Sequence, residues 1–251
     1  MQKSPGLYRK KSIYVHDDER GTIVYEGPDA DIVPGLMGEL VDVVPAGTDA
    51  PVFVRAAMAH LNLVMIHPFR DGNGRMARAL QTLVLAREKI LTPEFSSIEE
   101  WLGRNTNAYY DVLAGVGRGR WSPGRDATPW VKFNLMAHHM QAQTVLRRID
   151  EASRMWVRID ELLASKHLPE RAGFAIYDAL LGLKVRRAGY AREAGLEPPT
   201  AARDLRMMVA AKLLEPVGET RGRVYVATND LRAVRNEIAA GRVRPVNPYG
   251  N

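Results

Sequence analysis

Between positions 52 and 66, apolar residues recur at nearly every turn of an implied helix: Val52, Phe53, Ala56, Ala57, Ala59, Leu61, Val64 and Met65. A segment with no polar face to give to water predicts a helix at the centre of a fold. A second apolar helix is expected from about residue 73, carrying Leu80, Leu83, Val84 and Leu85. Pro68 disfavours helical backbone just before it, so a tight connection must join the two. Upstream, residues 12–16 and 22–25 are rich in β-branched and aromatic side chains. The polar run Asp17-Asp18-Glu19-Arg20-Gly21 separates them, which predicts a β-hairpin that Gly27-Pro28 ends. A short helix over 34–44 follows, with Leu36, Met37, Leu40, Val41 and Val44 at helical spacing and Pro45 as its stop.

Further helices are expected over 98–116, 129–149 and 150–165, with the Gly- and Arg-rich stretch 115–129 as an exposed loop. Residues 167–171 read as a linker. Beyond it come a helix over 174–183, a short segment 190–195, the turn Leu196-Glu197-Pro198-Pro199, a helix over 200–212, and two strands, 213–217 and 223–226. Helix, turn, helix, hairpin is the order of a winged helix-turn-helix. The expected architecture is mainly α: a helical domain with a small hairpin over 1–166, a linker over 167–171, and a winged helix-turn-helix (α+β) domain over 172–251.

Composition narrows the chemistry. The chain has 251 residues, enough for a real core, and 46% apolar with 25% charged residues is globular usage rather than disorder. It has no cysteine, which excludes disulfides, thiolate metal sites and cysteine nucleophiles. No apolar run approaches the ~18 residues of a membrane span, and the first residues lack a signal-peptide core, so a soluble, cytoplasmic protein without a membrane partner is expected. The net charge of +6 is unevenly spread. From Gly173 onward there are 13 Lys and Arg against 8 Asp and Glu; before it the counts are 22 and 21. Two parts with different partners would produce that asymmetry, although many solvated surfaces carry as much.

The connection between the two apolar helices holds the most chemistry. It reads His67-Pro68-Phe69-Arg70-Asp71-Gly72-Asn73-Gly74-Arg75-Met76-Ala77-Arg78. Gly72 and Gly74 let an anion approach the backbone, and with Asn73 they put N–H groups and a helix N-terminus against it. Arg75 and Arg78, three apart, project from one helix face and suit phosphate oxygens. Asp71 is a hard oxygen ligand of the kind Mg²⁺ takes, and His67 can accept a proton near neutral pH. Phe69 is expected to anchor the loop in the core, and His60 to pack or hydrogen-bond inside it. Each piece alone is commonplace; their uninterrupted combination between two core helices is what points to function.

The segment resembles the signature of the Fic family, His-x-Phe-x-Asp/Glu-Gly-Asn-Gly-Arg-x-x-Arg, at every specified position, and the likeness extends over roughly residues 7–149. The resemblance implies a Fic-type helical domain that transfers AMP from ATP to a Ser, Thr or Tyr hydroxyl of a protein target and releases pyrophosphate. It makes His67 the general base, Asp71 the Mg²⁺ ligand, and Gly72, Asn73 and Gly74 the anion hole, with Asn73 near the α-phosphate. Arg75 and Arg78 would bind the β- and γ-phosphates. Tyr109 and Tyr110 resemble the family's Tyr-Tyr pair near adenine. The hairpin resembles the flap that aligns a target segment by strand addition, with Thr22, Ile23, Val24 and Tyr25 as its docking strand. Many members restrain themselves with a helix bearing Ser/Thr-x-x-x-Glu-Gly/Asn, whose glutamate pairs with the second arginine. Thr22-Ile23-Val24-Tyr25-Glu26-Gly27 fits that formula but sits in the hairpin's second strand, so it reads as coincidence. Restraint would then come from an inhibitory partner, from a homo-oligomer, from a segment missing from a truncated chain, or from nothing.

In the C-terminal part, Arg203 and Arg206 lie on one side of the expected helix 200–212, with Leu205, Met208 and Val209 on another; Arg221 and Arg223 flank the hairpin tip. These are the candidate DNA contacts. Two other functions remain open: a DNA-binding regulator whose helical domain senses nucleotide or is idle, and a related enzyme that removes AMP or transfers another nucleotide or phosphocholine.

Overall fold

A computed structural model describes residues 6–17, 21–43, 49–89, 97–219 and 222–249 of the chain. It is mainly helical and forms two compact units, residues 1–143 with 246–251, and residues 144–245.

In the first unit, strands β1 (Tyr14–Asp17) and β2 (Thr22–Glu26) pair antiparallel as the expected hairpin. The register passes from Tyr25 to Ile23, skipping Val24, so the strand carries an irregularity. Helix α1 (Val33–Val43) follows; the expected stop at Val44-Pro45 and most of the hairpin loop lie outside the described residues. Helix α2 (Val52–Ile66) contributes to three apolar clusters. Ala57, Leu61 and Met65 face Tyr25, Leu102, Trp130 and Phe133; Leu63 and Ile66 face Val33, Met37 and Leu40; Ala56 and Ala59 face Val84 and Leu85. That is why its sequence shows no polar stripe. Helix α3 (Asn73–Arg87) packs beside it.

Three expectations change here. The helix expected over 98–116 is two, α4 (Glu99–Arg104) and α5 (Thr106–Gly117). Asn105 separates them at φ −124° and ψ 38°, and Trp101 O accepts both its backbone N–H, at 3.1 Å, and its side-chain amide, at 2.8 Å. The loop expected over 115–129 contains a short strand, β3 (Gly119–Arg120), which pairs parallel with Tyr25 and Glu26 of β2. The two helices expected over 129–149 and 150–165 are one, α6 (Thr128–Lys166), since no Gly or Pro interrupts the run.

The boundary between the two units falls between residues 143 and 144, inside α6. Residues 167–171, expected as a linker, form a turn in which His167 takes a positive φ of 54° and Leu168 N–H bonds Leu163 O at 3.0 Å. In the second unit, α7 (Ala172–Leu180), α8 (Arg187–Glu193) and α9 (Pro198–Ala210) precede the hairpin β4 (Leu214–Val217) and β5 (Val224–Ala227). Val185 adds an antiparallel bridge to Tyr225 of β5. A closing helix, α10 (Asn229–Ala240), was not anticipated, although Thr228 is a recognisable N-cap whose Oγ1 accepts from Leu231 N–H. Leu205, Met208, Ile176, Leu180, Leu214 and Leu231 form the centre of this unit's core. Asp204, only 1% exposed, holds α9 in place: Arg171 Nε and Nη2 donate to its two oxygens at 2.7 and 3.2 Å, and Tyr190 OH donates at 3.0 Å.

Candidate active site

A helix end leaves its last carbonyls without intrahelical partners. At the end of α2 these carbonyls all find donors, and the donors fix the histidine. His67 is the C-cap, in left-handed backbone at φ 51° and ψ 56°, and its N–H bonds Leu63 O at 3.0 Å. Its own Nδ1 lies 3.1 Å from Val64 O. A carbonyl only accepts, so Nδ1 carries the proton and Nε2 keeps its lone pair. Tyr25 OH donates to Met65 O at 2.7 Å. Arg9 Nη2 donates to Ile66 O at 3.3 Å and Arg9 Nε to His67 O at 2.9 Å. Burial holds the His67 pKa below its usual value; the Val64 hydrogen bond opposes this and the Arg9 charge adds to it. The ring is a neutral base at physiological pH.

Across the connection, Gly72 is the N-cap of α3 at φ 85°, a conformation that favours glycine. Having no side chain, it leaves the first-turn N–H groups of Asn73, Gly74 and Arg75 directed out of the helix end. The Asn73 side chain serves the loop itself. It closes the loop by accepting from Phe69 N–H at 2.9 Å and donating to Phe69 O at 2.8 Å, which leaves the second Nδ2 hydrogen outside this pair. Phe69 is half-buried against Tyr8, with ring centroids 5.8 Å apart, rather than set in an apolar cluster. The first turn of α3 contains no acid. The guanidiniums of Arg75 and Arg78 fold over Gly72 and Gly74, each 3.5 Å from where a Cβ would stand. Helix dipole and two cations thus converge on one end.

Both arginines meet carboxylates. Arg75 lies 3.4 Å from Asp71, with both side chains largely exposed. Arg78 Nε forms a close ion pair with Glu99, at the first turn of α4. Asp71 fits the magnesium role in one respect: a single exposed carboxylate beside an anion site is what Mg²⁺ uses when phosphates and water complete its shell. Among the described residues no cluster of three or more metal-binding side chains exists.

Tyr109 is buried, 5% exposed, while Tyr110 is 60% exposed, with the two rings edge to face at 5.2 Å. Of the pair, Tyr110 is the one open to solvent. Tyr109 belongs to a polar chain in the core. Asn134 Nδ2 donates to Trp130 O at 3.3 Å, which turns Asn134 Oδ1 towards Gln81 Nε2 at 2.9 Å. Gln81 Oε1 therefore faces His60 Nδ1, which must be the protonated nitrogen, and Tyr109 OH donates to His60 Nε2 at 3.0 Å. Gln81 Nε2 also lies 2.9 Å from His138 Nε2. The Tyr109 oxygen is left with lone pairs for Arg78, which interacts with it. Burial lowers the pKa of His60 and of His138 to about 4, so both rings are neutral.

In the hairpin, β2 has β1 on one side and β3 on the other, but β3 covers only Tyr25 and Glu26. Thr22, Ile23 and Val24 keep an edge beyond that pairing, and Ile23 is 56% exposed, whereas the Tyr25 side chain is buried. Glu26 lies in the strand rather than on a helix, in keeping with a coincidental match to the inhibitory formula. In the second unit Arg203 and Arg206 are exposed on α9 and Arg223 is exposed before β5; Arg221 lies outside the described residues. Sequence reasoning missed Arg9, Glu99 and Gln81. Arg9 and Glu99 act from 58 and 21 residues away, through contacts that leave no local pattern.

Residues 1–85, which include the hairpin and the connection, match the Fic/DOC family. Over 74 residues, 27% of this chain, the sequence is 40% identical to protein adenylyltransferase fic-1 of Caenorhabditis briggsae. Over 78 residues, 31% of the chain, it is 37% identical to protein adenylyltransferase Fic of Aedes aegypti. These matches span 15% and 13% of the relatives' own lengths. In three dimensions the chain is similar to a Fic family protein from Desulfovibrio desulfuricans G20, with a TM-score of 0.50 and 25% identity over 91% of this chain and 64% of that one. Among the described residues no helix is long and apolar enough to cross a membrane.

Proposed function

We propose that this chain, which carries a Fic/DOC-family domain, is a protein adenylyltransferase that moves AMP from ATP to a side-chain hydroxyl of a protein target. The observation that carries the reading is the state of His67: Nδ1 tied to Val64 O, Nε2 unprotonated, and a cationic helix end across a tight connection. In the proposed step Nε2 takes the hydroxyl proton as the oxygen bonds to the α-phosphorus. The bond from the α-phosphorus to the bridging oxygen breaks, and pyrophosphate leaves with its charge met by Arg75, Arg78 and the first-turn N–H groups. Mg²⁺, held by Asp71 and the phosphates, would neutralise charge on the nucleotide. Target backbone would add to the open edge of β2 at 22–24. A cytoplasmic location belongs to this reading, since ATP and Mg²⁺ are abundant there.

Incubation with ATP and magnesium, followed by mass spectrometry of the chain and a co-incubated lysate, should show a gain of one AMP. That gain should vanish in His67→Ala while ATP binding persists. A gain of a different group would assign another donor, and loss of AMP from a modified protein would assign the reverse reaction. Transfer by His67→Ala at the wild-type rate would end the assignment of the base.

A second reading concerns residues 172–251, which we infer to hold a winged helix-turn-helix that contacts DNA. It is favoured by α9, whose Ala201, Leu205 and Met208 are buried while Arg203 and Arg206 face water, with no ion pair engaging either among the described residues. Duplex binding that weakens steeply with salt, and less steeply in Arg203→Ala, is the expected result; no retardation at low salt would refute it.

A further inference from the structure

We propose that Arg9 is a positioning residue for the general base, a buried fork that ties the backbone of His67 to the foot of the hairpin. The inference deepens the adenylyltransferase reading and rests on it for its catalytic part. Arg9 is 4% exposed. Its Nε donates to His67 O at 2.9 Å and Nη2 to Ile66 O at 3.3 Å, while its backbone N–H donates to Pro68 O at 2.9 Å. These bonds grip the chain on both sides of the base. The other end of the fork grips the hairpin: Nη1 donates to Lys11 O at 3.0 Å, before β1, and Nη2 to Pro28 O at 2.5 Å, after β2. Between those arms Gly27 N–H bonds Ile13 O at 3.1 Å and closes the hairpin's foot. A Cβ at Gly27 would stand 3.1 Å from Arg9 Nη2 and 2.8 Å from Ile13 Cγ2, so the guanidinium occupies space that any larger residue would contest.

A buried cation is costly unless its donors are met and a negative field surrounds it. Here backbone carbonyls meet the donors at the negative end of the α2 dipole, with Asp29 adding attraction. Lysine has one point charge and cannot span both sets of carbonyls as a planar fork does. The left-handed backbone of His67 makes such a grip useful, because a non-glycine residue is disfavoured there and would otherwise relax. Arg9 is also the charged group that bears on the His67 ring.

Two variants separate geometry from charge. Arg9→Lys keeps the charge and loses the fork. It should lower kcat on the order of 10- to 100-fold with ATP affinity unchanged, and leave the acid limb of the pH–rate profile in place. Arg9→Met loses both. Its kcat should fall as far, and its acid limb should move to higher pH, because removing a neighbouring cation lets the His67 pKa rise. Circular dichroism establishes folding of each variant, and Arg9→Lys decides the matter if Arg9→Met does not fold. A folded Arg9→Lys with wild-type kcat overturns the proposal. ¹⁵N spectra of the His67 ring provide a readout independent of activity. If wild type transfers no AMP, the adenylyltransferase reading fails, and the ring then tests Arg9 alone. Loss of the single Nδ1–H tautomer in Arg9→Lys supports the grip, and an unchanged tautomer overturns it.

Discussion

Replacing Glu99 by glutamine should make the protein bind ATP more tightly. The Glu99 carboxylate sits on Arg78, one of the two cations that the proposed reading gives to the terminal phosphates, so nucleotide must displace it. Opposite charges at about 4 Å attract by about 4 kcal/mol at an effective dielectric of 20, but most of that is offset by solvation and side-chain ordering. The Arg78 side chain is 26% exposed and that of Glu99 54%, so the net value lies near the surface limit of about 1 kcal/mol. Glutamine fills the same space and can still accept from the guanidinium, but without a charge of its own. The variant should therefore bind a non-hydrolysable ATP analogue about fivefold more tightly by titration calorimetry, since 1.4 kcal/mol is tenfold. The gain should shrink as salt screens the pair and be absent for AMP, which lacks the phosphates that reach Arg78. Equal tightening for AMP, or none for the ATP analogue, would refute the idea that this carboxylate competes with the nucleotide.

Other outcomes follow from the same contacts. His60 and His138 have native pKa values of about 4 against an unfolded value near 6.5, so the unfolded chain binds more protons between those limits and stability must fall as pH drops through them. Each ring contributes on the order of 3 kcal/mol, lost by pH 4, and urea titrations across that range should show the decline. Tyr109→Phe removes the acceptor that faces Arg78 and leaves His60 Nε2 unpaired; it should weaken ATP more than AMP, and equal weakening of both would mean that the chain does not reach the phosphate site. Asp204→Asn leaves Arg171 and Tyr190 without their carboxylate and should lower the melting temperature by several degrees without changing ATP affinity at the first unit.

The connection was legible because its parts are contiguous. A base, two glycines and two arginines at helical spacing need no tertiary contact to be recognised, and the apolar run of α2 announced its burial. What stayed hidden depends on distance. The hydrogen bonds from Arg9 to carbonyls carry no residue-type signature on the accepting side, so nothing near His67 in sequence points to Arg9. The same holds for the pairing of residues 119–120 with β2, which is set by where α5 ends rather than by β propensity. The break at Asn105 and the continuity of α6 were misjudged for the opposite reason. A change of backbone conformation at one residue, Asn105, ended one helix, while nothing interrupted the other at the expected boundary between 149 and 150. The C-terminal helix had its signal, Thr228 before Asn-Asp-Leu, and went unread.

Because α2 is wedged among three separate groups of side chains, the imidazole at its tip is carried by a rod held on several sides. Among the described residues the open strand edge at 22–24 reaches that rod through side chains, Tyr25 OH on Met65 O and, from the hairpin's foot, Arg9 on Ile66 O. New partners could be engineered by rewriting those three positions, with the proton-accepting machinery left untouched.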